Sequence, residues 1–241
     1  MQQLPLGITL KPGISFDSFI PGRNTQAIAS LQSCISGYEN PFIFLWGGNG
    51  TGKSHLLQAT CHQADLLNLQ VAYIPLLQAA SFSAEIFEGL EQFDLVCLDD
   101  IAQITGQPDW EQALFNLFNR LRDRGARLLV TADRSPIALE VTLPDLASRL
   151  SWGLNYRLYP LTEDETIEAL IKSATKRGLK LPQEAAHYLL KHCPRDMGSL
   201  LEILDQLDQA SLAAQRKLTI PFIRSQLESE LIAARRLHTQ T

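Results

Sequence analysis

Residues 41–57 read PFIFLWGGNGTGKSHLL. An apolar run with aromatic and β-branched members, FIFLW, stops abruptly at glycine, which marks a short buried strand. The glycines and Lys53-Ser54 that follow fit the spacing G-x-x-x-x-G-K-[ST], and a helical pattern begins at Lys53. Strand, glycine-rich loop and helix in that order make a phosphate cradle. Glycine lets the backbone turn so that successive N–H groups converge on anionic oxygens. The helix N-terminus adds partial positive charge. The candidate nucleotide-binding residues are therefore Gly47, Gly48, Asn49, Gly50, Thr51, Gly52, Lys53 and Ser54. Lys53 would reach the β- and γ-phosphates, and Ser54 would offer a hydroxyl to Mg²⁺.

On either side of this loop the chain alternates strands with helices. Asn24–Ser36 is an apolar-periodic helix closed by Gly37. Further strands are expected at Leu69–Leu76, Phe93–Asp100, Ala126–Asp133 and Asn155–Leu161, with helices at Ala79–Leu90 and Trp110–Arg122. Alternation of this kind implies an α/β fold with a five-stranded parallel sheet covered on both faces. After Pro160 the pattern becomes helical throughout. Thr162 and Glu165 have capping-box spacing, and Gly178 closes that helix. Three more helical segments follow. The expected organisation is a tail over 1–14, a nucleotide-binding core over 15–160 and an all-α lid over 161–241.

A second acidic site is written in LVCLDDI, residues 95–101. A hydrophobic strand ending in an acid puts Asp99 where it would hold Mg²⁺, and Asp100 where a carboxylate could position water. Aspartate is one methylene shorter than the glutamate common at that second position, which points to weak intrinsic hydrolysis.

The 241 residues carry a net charge of −5, which argues against bulk electrostatic gripping of nucleic acid, although a local basic patch stays open. No apolar run has membrane-spanning length, and the N-terminus lacks the features of a secretory signal. Cys34, Cys61, Cys97 and Cys193 form no CxxC pair and read as buried reduced thiols of a cytoplasmic protein. In the tail MQQLPLGITL, Leu4, Leu6 and Ile8 alternate behind Gln3. An extended peptide would put the three on one side. It would serve as an edge strand of this sheet or as a peptide seated in a partner's groove.

Several segments together resemble the AAA+ ATPases, and within them the family of the bacterial replication initiator DnaA. They are the phosphate loop followed by HLL, the acidic run DDI, the strand followed by Asp133-Arg134 and Pro136, SRLSWGL (148–154) and SFDSFIPGRN (15–24). The resemblance covers about residues 15–225. The stretches LPDLASRLSWG (143–153), LDQLD (204–208) and AQRKLTIPF (214–222) are similar to DnaA-related regulators that promote inactivation of DnaA. What remains is a DnaA-like module behind a short tail, without the helix-turn-helix domain in which DnaA ends.

The resemblance implies a function. Gln3, Leu4, Leu6 and Ile8 match a peptide that docks on the DNA polymerase III sliding clamp (its β subunit), so that contact with DNA is indirect. Arg149 matches an arginine finger acting in trans on ATP held by DnaA, whereas from the residues alone the favoured reading is a surface ion-pair residue. Asp133 matches sensor 1, against the plainer reading of a turn or cap acid ahead of Pro136. Phe16 and Phe19 either wall the adenine site or pack a hinge. The cofactors implied are ADP or ATP with Mg²⁺, and self-association is compatible with the family. The implied location is the bacterial cytoplasm at the replisome. An autonomous AAA+ ATPase of helicase-loader or initiator type is the competing reading.

One departure stands out. The family's sensor-2 arginine, expected at the start of the third lid helix, is Gly198 here. Arg195 would share that helix face if the helix began early.

Overall fold

The computed structural model describes residues 14–37, 41–81 and 83–228, so the tail peptide Gln3, Leu4, Leu6 and Ile8 lies outside the described residues. The chain divides into two units, Met1–Pro160 and Leu161–Thr241.

In the first unit five strands form one parallel sheet in the order β2-β3-β4-β1-β5. They are β1 (Phe42–Trp46), β2 (Val71–Pro75), β3 (Leu95–Asp99), β4 (Arg127–Ala132) and β5 (Leu154–Arg157). The central strands are apolar on both sides because both faces are covered. Phe42 and Phe44 of β1 enter one core, while Ile43 and Leu45 enter the other. The helices α1 (Thr25–Ile35) and α2 (Lys53–Leu66) supply the second of these cores. The first is filled by α3 (Pro108–Arg124) and α4 (Pro144–Ser151).

Among the described residues of Ala79–Leu90 the expected helix does not form. Three 3-10 turns stand there instead, Leu76–Ser81, Ala84–Phe87 and Leu90–Gln92. Gly89 breaks the run with φ +79°, although the buried residues Leu76, Ala79, Phe87 and Leu90 have the spacing of one helix face. Strand β5 starts and ends earlier than its sequence pattern suggests. Past Arg157 its neighbour β1 has already become the phosphate loop. The Leu158 N–H still donates to the Trp46 carbonyl at 2.7 Å. The next residue is taken over by a side chain: Asn24 Nδ2 donates to the Tyr159 carbonyl at 2.9 Å and Asn24 Oδ1 accepts its N–H at 2.8 Å. Asn24, 4% exposed, thereby clamps the leading segment to the strand that ends the unit.

The second unit is helical: α5 (Glu163–Lys176), α6 (Gln183–His192), α7 (Met197–Ala214) and α8, running from 220 to at least 228. The Thr162–Glu165 capping box is formed in both directions. Leucines 170, 189, 190, 200, 204 and 207 fill a separate core. Asp196, in extended backbone, is the N-cap of α7 and accepts from the Ser199 N–H at 2.8 Å. The helix therefore does not begin early: Arg195 lies outside it and shares no face with Gly198.

Asn24→Ala removes both bonds to Tyr159 and leaves its backbone groups without these partners. It should cost about 2 kcal/mol, lowering Tm in a thermal melt by several degrees.

Candidate functional site

The site is assembled at the carboxyl ends of β1, β3 and β4, where the chain order in the sheet reverses direction and open parallel sheets hold ligands. Gly47 leaves β1 with its N–H donating to the Ala132 carbonyl at 3.2 Å. A Cβ on Gly47 would stand 2.6 Å from the Leu158 carbonyl oxygen, so this position has no room for a side chain. Gly50 and Gly52 have φ of +75° and +88°, a region that L side chains rarely adopt. Thr51 Oγ1 donates to the Gly48 carbonyl at 2.9 Å. Lys53 Nζ donates to the carbonyls of Gly47 (2.8 Å) and Gly48 (3.1 Å), which holds the ammonium against the loop. Asn49 and Ser54 are exposed in the same loop.

Asp99, 4% exposed at the end of β3, is held on both oxygens: Thr131 Oγ1 donates to Oδ1 at 2.6 Å and the Tyr73 hydroxyl to Oδ2 at 2.7 Å. Gln58 of the phosphate-loop helix donates to the Tyr73 hydroxyl at 3.3 Å. The same Thr131 hydroxyl accepts the Asp100 N–H at 2.8 Å. Asp100 sits in the left-handed region at φ 67°, ψ 56°, which aspartate tolerates and which recurs at functional sites. Burial raises the Asp100 carboxyl above its ordinary pKa. Asp99 and Asp133 raise it further and Lys53 opposes them. These acids and the lysine thus share one electrostatic neighbourhood. Each Asp99 oxygen keeps a lone pair beside its hydroxyl partner. With a shaped loop, a fixed ammonium and an oxygen-only acidic set, the residues fit a nucleotide phosphate chain with Mg²⁺.

Asp133 follows β4 and accepts two bonds from its neighbour Arg134, at 2.9 and 2.8 Å. Those bonds hold its carboxyl below the usual range. Ser135, not Asp133, stands at the N-cap of the 3-10 turn containing Pro136. Phe19 lies against the loop, its ring 2.5 Å from where a Gly52 Cβ would be and 5.4 Å from the His55 ring. His55 Nε2 donates to the Ser15 carbonyl at 3.0 Å, tying the leading segment to α2. Phe16 packs on the core between the sheet and α1–α2.

Arg149 is not part of this cluster. It occupies the last turn of α4, a helix that the sequence reading does not assign. Its Cζ lies 5.8 Å from the Phe118 ring centroid, and Phe118 packs edge-on against Phe42 at 5.1 Å. Phe42 begins β1 and the phosphate loop follows its end, about 13 Å away at a strand's rise per residue. Arg149 has no ion pair among the described residues.

Glu111 is a residue the motif search passes over. It is 1% exposed and falls on the apolar stripe of α3 with Leu114 and Phe118. A charge on that stripe is the signal that could have found it. Its carboxylate accepts from the Gly106 N–H at 2.7 Å, the Thr142 hydroxyl at 2.6 Å and the Leu143 N–H at 2.8 Å, with the Thr142 N–H beside them. Leu143 is the N-cap of α4 and has no side-chain cap of its own, so Glu111 anchors the start of the helix that carries Arg149. Burial pushes this carboxyl up, but the bonds from Thr142, Gly106 and Leu143 outweigh it and leave its pKa lowered.

A family model for the bacterial DnaA ATPase domain matches residues 10–157, and one for the lid domain of Hda matches 163–227. Among solved structures the chain is similar to domain III of the Thermotoga maritima replication initiation protein DnaA, at 23% identity and TM-score 0.75, covering 92% of this chain and 98% of that one. AMPPCP-bound DnaA from Aquifex aeolicus is 24% identical with TM-score 0.70, covering 82% and 66%. The Thermotoga maritima RuvB branch migration motor is 16% identical with TM-score 0.66, covering 90% and 72%. At these identities the likeness is one of fold. Among the described residues no helix is long and apolar enough to cross a membrane.

A carboxylate whose folded pKa is depressed stabilises the fold above its unfolded pKa, near 4.3, and that contribution is lost as pH falls through the folded value. Glu111→Gln should therefore lower stability at pH 7 by about 3 kcal/mol. The gap to wild type should shrink steadily below about pH 4 in urea titrations.

Proposed function

Because the chain belongs to the family of bacterial DnaA ATPase domains, with an Hda-type lid after it, we propose that it is a negative regulator of replication initiation. In this reading it binds an adenine nucleotide with Mg²⁺ and acts as an adaptor. Arg149 reaches in trans to the ATP held by DnaA and promotes its hydrolysis to the inactive ADP form. The tail residues Gln3, Leu4, Leu6 and Ile8 tether the adaptor to the sliding clamp.

The observation that carries this reading is the separation of Arg149 from the chain's own phosphate loop. Arg149 packs through Phe118 on the start of β1, whereas the loop leaves that strand's end. An arginine so distant does not serve the nucleotide in its own chain. It is half-buried, has no ion pair among the described residues, and is backed by an aromatic ring, which leaves the guanidinium fork available to phosphate oxygens. Lys53, Ser54 and Asp99 would bind the resident nucleotide, with Asp100 and Asp133 beside its γ-phosphate and Phe19 on the side of its base. Self-association through the same finger is a further consequence of the reading.

The competing reading is an autonomous ATPase, favoured by the complete set of Lys53, Asp99 and Asp100. Two features support the adaptor over it. Asp100 is short for a water-positioning acid, and Gly198, the second residue of α7, offers no charge where the family has its sensor-2 arginine. A Cβ at Gly198 would meet nothing nearer than Asp196 Oδ1 at 3.4 Å, so packing does not demand the glycine.

Arg149→Ala should keep clamp binding in a pull-down and lose its stimulation of ATP hydrolysis by DnaA, an effect of about 10³-fold or more for a finger. Gln3→Ala/Leu4→Ala should lose the clamp and retain the finger. Stimulation surviving in Arg149→Ala would overturn the mechanism. Calorimetry should find ATP and ADP affinities within about one order of magnitude, since Gly198 carries no charge at the position where the family has its sensor-2 arginine. A strong ATP preference would overturn the lid argument.

A further inference from the structure

Strand β5 is the edge of the sheet next to β1, and its two sides differ. Leu154, Tyr156 and Leu158 pack on the core shared with α1 and α2. Alternation turns Asn155, Arg157 and Tyr159 to the other face, where Asn155 and Arg157 are exposed and Tyr159 is half-buried. Arg157 lies opposite Trp46 in the parallel register. Its Cζ is 5.4 Å from the Trp46 ring and 5.2 Å from the Tyr159 ring, so one guanidinium serves both. Arg23, also exposed, lies 4.5 Å from the Tyr159 ring. Neither arginine has an ion pair among the described residues, in a chain whose net charge is −5.

Two unpaired cations held over aromatic rings on an uncovered strand face are pre-organised for an anionic surface. Stacking fixes the guanidinium planes and reduces the rotamer entropy lost on binding. This face continues downward to α4. Trp152, 52% exposed, packs on Phe118, the ring that also backs Arg149. The three arginines therefore follow one side of the sheet edge, from the start of β1 to its end.

We infer that Arg157 and Arg23, stacked on Trp46 and Tyr159, form a docking patch for the anionic, nucleotide-bearing face of the partner ATPase, continuous with Arg149 but separate from it in role. The inference rests on the adaptor reading above. The patch supplies affinity and orientation, and Arg149 supplies the rate. Two cations beside an uncharged Asn155 are too short a track to follow a polynucleotide backbone, which favours a protein face carrying bound phosphates.

The test separates binding from hydrolysis. Full-length chain is titrated into labelled ATP-loaded DnaA under conditions that prevent turnover, and separately into a labelled oligo-dT single strand. Arg23→Ala/Arg157→Ala should weaken DnaA binding about tenfold or more and raise the half-saturating concentration for stimulated hydrolysis, with the maximal rate unchanged. Arg157→Lys should fall between wild type and the double variant, since a lysine keeps charge and loses planar stacking. Arg149→Ala should show the opposite split, with binding kept and the maximal rate lost. Unchanged DnaA affinity in the double variant overturns the patch, as does a loss confined to oligo-dT binding. Loss of maximal rate at unchanged affinity overturns it too. If Arg149→Ala still stimulates while the double variant binds weakly, the finger assignment fails and the patch stands.

Discussion

The Thr131 hydroxyl joins the two acids on which the phosphate site depends. It donates to Asp99 Oδ1 at 2.6 Å and accepts the Asp100 N–H at 2.8 Å, so one side chain on β4 orients a carboxylate and a backbone turn on β3. The register puts these strands side by side and brings the Tyr73 hydroxyl of β2 onto the other oxygen of Asp99. A carboxylate buried among apolar strands is costly unless its oxygens are satisfied. Here two hydroxyls, those of Thr131 and Tyr73, supply that satisfaction. The left-handed turn at Asp100 then directs the chain away from the sheet, leaving Asp100 half-exposed beside the loop.

A second buried acid does comparable work at a distance. Glu111 accepts from the turn at Gly106 and from Thr142 and Leu143, which closes the connection from β4 to α4, a stretch whose one helical piece is the 3-10 turn Pro136–Ala138. Its negative charge lies ahead of the α4 N-terminus, where the helix dipole is favourable to it. An eight-residue helix is too short to hold its own position by hydrogen bonding, so its direction is set by this anchor and by Leu146 and Leu150 in the core. The orientation of Arg149 follows from both.

The parts legible in the sequence are those coded over a few residues. The glycine spacing of the phosphate loop, the apolar strand before it and the Thr162–Glu165 cap each need no distant partner, and each forms as its pattern implies. The parts that escape it depend on tertiary partners. Helix α4 carries Pro144 at its first position, Asp145 in its first turn and Arg149 in its last, but at eight residues these local signals are brief, and its anchor lies thirty-odd residues earlier in the chain. Residues 79–90 have helical composition and helix-like burial spacing, yet 3-10 turns form there, with Gly89 in the left-handed region between two of them. Arg195 was a candidate for the Gly198 face until the Asp196 cap fixed the helix start after it. Tyr73 carried no motif at all, and its role is set by the strand register alone.

The geometry of the sheet separates Arg149 from the phosphate loop. A parallel strand has one chemical polarity: loops at its carboxyl end gather N–H groups and acids for phosphate, and the amino end offers none of these. Arg149 sits by the amino end of β1, through Phe118 and Phe42, and the phosphate loop sits by the carboxyl end. No side-chain motion spans a whole strand, since an extended arginine reaches about half that length. In the proposed reading a cation there would contribute to hydrolysis only by meeting a nucleotide presented by another molecule, and the exposed face of β5, which runs alongside from one end of β1 to the other, would be where that partner sits.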